Sequence, residues 1–166
     1  MEVKGLIVQA QLSIVFVGIF ATAVLDLWAV VVKSVFHGPT TNWAMVGRWF
    51  AHLPRGTIVH RPIADAEPVA NELAIGWAAH YLVGVAYSYL YAILITFTGI
   101  DLSLYSAIAF GLVTVVAAWF VLQPGLGVGV FARLAPKPWI IRALNMSAHF
   151  FFGCGLYFGW VIVASF

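Results

Sequence analysis

Three ionisable side chains interrupt the long apolar stretches of this sequence: Asp26, His80 and His149. Each is seven or eight residues from a charged residue at one end of its stretch, and these charged residues are Lys33, Glu72 and Arg142. At about 1.5 Å of helical rise per residue, all three would lie about 10–12 Å inside a membrane. A charge at such a depth costs about 2.5–3.5 kcal/mol on insertion scales, so it is expected to face other helices and to be paired. The spacing predicts one polar centre in which Asp26 contacts one or both histidines.

Three uses of such a centre remain open. One is a polar clasp, in which Asp26 accepts a hydrogen bond from a histidine and fixes the packing of the helices. Another is a site for protons or a small polar ligand, because a histidine–carboxylate pair titrates near neutral pH. The third is a haem, quinone or metal held between the helices of His80 and His149. Gly84 and Gly153 follow these histidines by four residues, which leaves room for a flat ring or for close helix packing.

Three further polar residues are expected at the mouth of this centre: Arg48, Glu72 and Gln123. The zinc spacings CxxC and HExxH are absent from the sequence. No serine has an assignable base. We therefore predict no catalytic residue and favour a protein that is not an enzyme.

The composition indicates an integral membrane protein. Of the 166 residues, 63% are hydrophobic and 8% are charged, whereas a soluble domain carries about 25% charged residues. The length allows one domain, and the net charge of +2 is too small to indicate nucleic-acid binding. A single cysteine, Cys154, excludes an intrachain disulfide.

Four stretches reach the roughly 20 apolar residues that a membrane span needs, and they cover residues 6–32, 74–97, 102–122 and 143–166. The first continues beyond Ala21-Thr22-Ala23, which resembles a signal-peptide cleavage site, so we expect a retained span. A tight turn at Gly99 and Asp101 joins the second and third spans into a hairpin. The sequence therefore predicts an all-α, four-helix membrane bundle in a single transmembrane domain over residues 1–166.

Lysine and arginine are distributed unevenly between the two sides of these spans. Only Lys4 lies on the side of the termini, whereas seven basic residues lie in or beside the two long connections: Lys33, Arg48, Arg55, Arg61, Arg133, Lys137 and Arg142. Because basic residues favour the cytoplasmic side, both connections should be cytoplasmic and both termini periplasmic.

The first connection contains an amphipathic pattern over residues 42–53. Its apolar residues share one helical face, and these are Trp43, Val46, Trp49, Phe50 and Leu53. Its polar residues lie largely on the other face, and these are Asn42, Arg48, His52 and Arg55. We expect a short helix in the headgroup layer, either as an anchor or as a lid. Residues 57–71, with Pro62 and Pro68, predict a surface loop.

Two halves of the chain are similar. The string AHYLVG at residues 79–84 returns as AHFFFG at residues 148–153, and GIFATAVLDLW from Gly18 aligns more weakly with GLVTVVAAWFV from Gly111. Each half would be a span, a cytoplasmic connection and a returning span. This pattern predicts an internal repeat of two helical hairpins with the same orientation in the membrane.

Several strings together resemble a small bacterial inner-membrane family, domain of unknown function 2938. The strings are ATAVLDLWA, NWAMVGRWFAHLPRG, HRPIADAEP, ELAIGWAAHYLVG, QPGLGVGV and SAHFFFGCGLYFGW. The residues that carry the resemblance are Asp26, Asn42, Gly47, Arg48, Pro54, Gly56, Pro62, Glu72, His80, Gln123, Pro124, Gly125 and His149. The resemblance implies four spans in a bacterial inner membrane and supplies no activity or cofactor.

The function favoured by these observations is binding or passage of protons or a small polar ligand through the buried Asp/His centre. One alternative is a redox-associated membrane subunit that holds haem or a quinone between the two histidine helices. Another is a structural accessory subunit of a membrane complex. The expected partners are the lipid bilayer and either further copies of the chain or a larger membrane complex, because so small a bundle has little room for a pore.

Overall fold

The computed structural model describes residues 3–165, except for the side chains of residues 3, 4, 6 and 7. Five helices account for most of this part of the chain, and it contains no β-strand. They are α1 (Val3–Ser34), α2 (Trp43–His52), α3 (Glu72–Thr98), α4 (Leu104–Ala117) and α5 (Pro138–Val163). The predicted all-α fold is confirmed.

Four helices are long and apolar enough to cross a membrane: Val8–Ser34, Glu72–Thr98, Leu104–Gly125 and Pro138–Val163. The predicted four-helix membrane bundle is confirmed, and the chain is an integral membrane protein. The exact bounds of the spans stay a prediction. The largest difference in the bounds is at α5, which starts at Pro138 and so includes Arg142 rather than leaving it in the connection. Proline is accepted at the first helical position, where its missing N–H has no partner to lose.

The third span changes its winding near its end. After α4, residues Ala118–Leu122 form a π-helical turn, and Gln123–Gly125 complete the span. Pro124 cannot donate to the carbonyl of Phe120, so the ladder of regular hydrogen bonds is broken at this point. The amide of Gln123 instead donates to the carbonyl of Ala118, five residues back.

The chain divides into two compact units. Unit 1 consists of Met1–Val30, Tyr81–Val113 and Ala148–Phe166, and unit 2 consists of Val31–His80 and Thr114–Ser147. Each unit therefore takes a part of every long helix. The prediction of a single transmembrane domain stays a prediction.

Unit 1 is packed through an apolar core and through glycines. Its buried apolar residues are Val17, Ala21, Tyr91, Ala107, Phe110, Phe152 and Leu156. A Cβ at Gly18 would lie 2.5 Å from Cα of Val85 and 3.0 Å from the carbonyl oxygen of Gly84. A Cβ at Gly111 would lie 2.8 Å from Cα of Gly153. These backbones approach so closely because no side chain separates them.

The close approaches support the predicted internal repeat. Gly18 aligns with Gly111, and Gly84 aligns with Gly153, in the two similar halves of the sequence. The structure brings the members of each half together, Gly18 against Gly84 and Gly111 against Gly153. In each half, the outgoing and the returning helix are therefore in contact at an equivalent pair of glycines.

Unit 2 holds α2 tightly against the start of α3. Asn42 caps α2 by accepting hydrogen bonds from the amides of Ala44 and Met45 at 3.1 and 3.4 Å. A Cβ at Gly47 would overlap the carbonyl oxygen of Glu72, and a Cβ at Gly76 would overlap that of Trp43. α2 is therefore in direct backbone contact with α3.

The first connection is partly buried. Arg48 and His52 were predicted on the polar face of α2, and the structure buries both side chains. Residues 57–71 are mostly exposed, as expected of a surface loop, but His60 and Ile63 are buried and their amides donate to the carbonyls of Gly125 and Leu126 at 3.0 and 3.1 Å. Polar side chains and loop backbone turn inward here because they satisfy one another's hydrogen bonds.

Candidate functional site

Asp26 is half-buried in α1 and accepts a hydrogen bond from Tyr81 of α3. The Tyr81 hydroxyl lies 2.9 Å from Oδ2 of Asp26. The sequence did not predict this partner. Its position next to His80 in the chain was the only signal that could have indicated it.

His80 packs against two indole rings of unit 2. Its ring centroid is 4.0 Å from that of Trp43 on α2 and 5.8 Å from that of Trp77. The rings of His80 and Trp43 are inclined by 30°, so one face of the imidazole covers the indole.

The three residues of the predicted polar centre fall in both units. Asp26 and His149 belong to unit 1, and His80 belongs to unit 2. Within the described residues, no group of three or more His, Cys, Asp or Glu side chains is arranged to hold a metal ion. The shared centre of Asp26, His80 and His149 stays a prediction.

The space expected beside Gly84 and Gly153 is filled. A Cβ at Gly84 would overlap the hydroxyl of Thr22, and a Cβ at Gly153 would lie 2.7 Å from the carbonyl oxygen of Ala107. Both glycines therefore serve close helix packing and leave no room for a flat ring. The cofactor alternative loses that support, and His80 and His149 as its ligands stay a prediction.

Arg48 and Glu72 form a bidentate ion pair in unit 2. Nε of Arg48 lies 2.8 Å from Oε2 of Glu72, and Nη2 lies 3.0 Å from Oε1. The remaining nitrogen, Nη1, donates to the carbonyls of Ile63, Ala64 and Ala66 at 3.4, 3.2 and 3.0 Å. The guanidinium of α2 thereby fixes the loop to the start of α3.

This pairing changes the expected role of both residues. Their polar atoms bind each other and the backbone, and their place at the mouth of a ligand site stays a prediction. The hydrogen bond to Glu72 raises the pKa of Arg48 above its usual value, because it stabilises the charged guanidinium. Arg48 is therefore a permanently charged structural link in unit 2.

Gln123 follows the π-helical turn and is 6% exposed. Its Nε2 donates to Oδ1 of Asn145 at 2.6 Å. Among the described residues, its buried Oε1 has no hydrogen-bond partner, and neither does the indole nitrogen of Trp119. The structure places Gln123 inside unit 2, and its place at the mouth of the centre stays a prediction.

The sequence did not identify His52 and His60 as a site. Nδ1 of His52, at the end of α2, lies 3.1 Å from Nε2 of His60 in the following loop. Both rings are buried, at 8% and 7% exposed. His52 had been assigned to the polar face of α2 and His60 to a surface loop, and no spacing rule connects a helix end with a loop eight residues later.

Comparison with known proteins gives one match. A family model described as "Protein of unknown function (DUF2938)" matches residues 15–163. This range contains every candidate site residue named above. No curated protein and no solved structure matches the chain.

Proposed function

Since this chain belongs to the DUF2938 family, whose description assigns no activity, we propose its function from the site itself. The protein binds and passes protons within its spans, and Asp26 is the residue that takes them up. We place it in the inner membrane of a bacterium. The excess of lysine and arginine in the two long connections supports a cytoplasmic position for these connections and a periplasmic one for both termini.

The contact between Asp26 and Tyr81 is the observation that carries this proposal. Both residues lie within helices that can cross a membrane. The phenol donates to an ionised carboxylate and can accept from a protonated one, since a hydroxyl does both. The hydrogen bond of 2.9 Å can therefore persist through a cycle of protonation. A carboxyl group in a span is a functional candidate on physical grounds alone, because lipid penalises its charge.

The pairing of Arg48 with Glu72, two residues predicted at the mouth of the site, favours a proton over a larger polar ligand. Arg48 and Glu72 direct their charged atoms at each other and at backbone carbonyls. They leave few donors for an anion and no free carboxylate edge for a cation. His80, a second imidazole-bearing residue of the spans, packs against Trp43 and Trp77.

Proton flux into vesicles tests the proposal. The purified protein would be reconstituted with the pH dye pyranine inside, and a potassium gradient with valinomycin would drive proton entry. We expect wild-type vesicles to acidify faster than protein-free vesicles and Asp26→Asn to slow this flux at least about tenfold, since an amide cannot take up the proton. Asp101→Asn, in the exposed turn after α3, is the matched control and should leave the flux unchanged.

Two results would contradict the proposal. One is wild-type flux no faster than that of protein-free vesicles, which would favour a structural subunit. The other is equal flux in Asp26→Asn and wild type, which would show that this carboxylate is not the proton carrier.

A further inference from the structure

The two buried imidazoles of unit 2 form a chain of three hydrogen bonds between two backbone carbonyls. Nε2 of His52 faces the carbonyl oxygen of Glu67 at 3.1 Å. Nδ1 of His52 faces Nε2 of His60 at 3.1 Å. Nδ1 of His60 faces the carbonyl oxygen of Gly125 at 3.2 Å. Every ring nitrogen of the pair is therefore engaged.

The number of protons in this chain follows from the chemistry of its ends. A carbonyl oxygen only accepts, so both outer ring nitrogens must carry hydrogen. The contact between the inner nitrogens needs one more hydrogen, on either ring. That makes three N–H groups, whereas two neutral imidazoles supply two. We infer that His52 and His60 together hold one extra proton and form a buried imidazole–imidazolium pair, a proton-binding site independent of Asp26.

The neutral alternative fits the geometry poorly. With two hydrogens at the outer positions, the lone pairs of the inner nitrogens would face each other across 3.1 Å. With one hydrogen between the rings, a bare ring nitrogen would face a carbonyl oxygen. Either arrangement places two acceptors in contact inside the protein, where an unmade hydrogen bond is costly.

The surroundings accept a single positive charge. Arg48, one turn before His52 on α2, is neutralised by Glu72. The charged side chains of the loop are exposed, and these are Arg55, Arg61, Asp65 and Glu67. Residues 114–132 contain no charged side chain. The Gly125 carbonyl also belongs to the C-terminal end of the third span, where the helix dipole favours a cation.

The proton joins three parts of the chain that are distant in sequence. His52 ends α2, His60 and Glu67 lie in the loop, and Gly125 ends the third span. When the proton leaves at higher pH, at least one of the three hydrogen bonds is lost. The loop should then be held less firmly against α2 and the end of the span, so the pair is a pH-sensitive clasp within unit 2.

Nitrogen NMR of the imidazoles tests the inference on the unaltered protein. With ¹⁵N-labelled histidine at about pH 7, where free imidazoles are largely neutral, we expect one ring with both nitrogens protonated and a coupled neighbour with one. Two neutral rings at that pH would overturn the inference. So would a stoichiometric metal ion in the purified protein, because the inner nitrogens would then bind the metal.

Amide hydrogen exchange provides the second measurement. The amides of His60 and Ile63 donate to Gly125 and Leu126, and their protection, corrected for the intrinsic pH effect, should fall several-fold as the pH rises from neutral. His60→Gln supplies an uncharged donor to His52 and should remove that extra pH dependence. His37→Asn, at an exposed histidine after α1, should retain it. Equal pH dependence in His60→Gln and wild type would refute the clasp.

Discussion

The two units of this protein are stabilised in different ways. In unit 1 the buried polar side chains are Thr22 and Ser88, and each donates to a backbone carbonyl, of Gly18 at 2.8 Å and of Ile14 at 2.9 Å. In unit 2 they include Arg48, His52, His60 and Gln123. This difference indicates that the packing of unit 1 depends on the size of its residues, whereas the packing of unit 2 depends on hydrogen-bond donors, acceptors and charge.

The largest effect on stability should come from Arg48→Met, which tests whether unit 2 depends on its charged and hydrogen-bonded side chains. The apolar side chain fills similar space but leaves Glu72 and three loop carbonyls without their donor. We expect a lower unfolding temperature in detergent, measured by circular dichroism, than for any other single change discussed here. Arg61→Met, at an exposed position of the same loop, is the matched control. Similar unfolding temperatures for the two variants would contradict a structural role for the ion pair.

The pH dependence of the same variant follows from the raised pKa of Arg48. A group whose pKa is raised on folding contributes stability below its unfolded pKa and loses it as the pH rises through the folded value. Since the pKa of Arg48 in the folded protein is above the usual pKa of arginine, its contribution to stability is lost only at a pH above any used in experiments. The difference in stability between wild type and Arg48→Met should therefore stay constant from neutral pH to about pH 10. A decline over that range would contradict the assignment.

An intermediate effect is expected from adding one methyl group to unit 1. In Gly153→Ala the new Cβ would lie 2.7 Å from the Ala107 carbonyl oxygen, which is backbone and cannot move aside locally. Overpacking of this kind costs about 1–3 kcal/mol. Gly5→Ala is the matched control, because its added Cβ would meet no described atom within 4 Å beyond its own helix turn, and it should be neutral or stabilise by up to about 1 kcal/mol.

Gly111→Ala tests whether the cost at Gly153 arises from the contact between these two glycines. Its Cβ would lie 2.8 Å from Cα of Gly153, so the single change should cost about as much as Gly153→Ala. Because the two glycines are in contact, the double variant should cost less than the sum of the two. Additive losses in free energy of unfolding would show that the two positions act independently.

The same comparison explains how far the sequence could predict the structure. Hydropathy identified the four spans, and Asn42 with the spacing of Trp43, Val46 and Trp49 identified α2, because both patterns are local. The periodicity of α2 showed which residues share a face but not that Arg48 would turn inward. That depends on the loop carbonyls which meet its guanidinium, and they come from residues 15–18 positions further along the chain.

The partner of Asp26 was unpredictable for a related reason. Depth in the membrane follows from residue counting, but contacts between helices depend on the rotation of each helix about its axis. Hydropathy constrains that rotation weakly where a helix is apolar all round, as α3 is. The paired glycines were more informative, since a repeated glycine marks a close approach whichever way the neighbouring residues turn.

The smallest effect on stability is expected from Gln123→Leu, and this variant tests whether Gln123 takes part in proton passage. Gln123→Leu removes a hydrogen bond to Asn145, a loss of about 1 kcal/mol, but also removes a buried oxygen that has no partner, so the two effects largely cancel. Near-normal unfolding together with slower proton flux would place Gln123 on the path of the protons and would show that the buried polar groups of unit 2 are not all structural. A stable variant with normal flux would leave Gln123 outside that path, whereas a strongly destabilised one would make it a structural residue like Arg48.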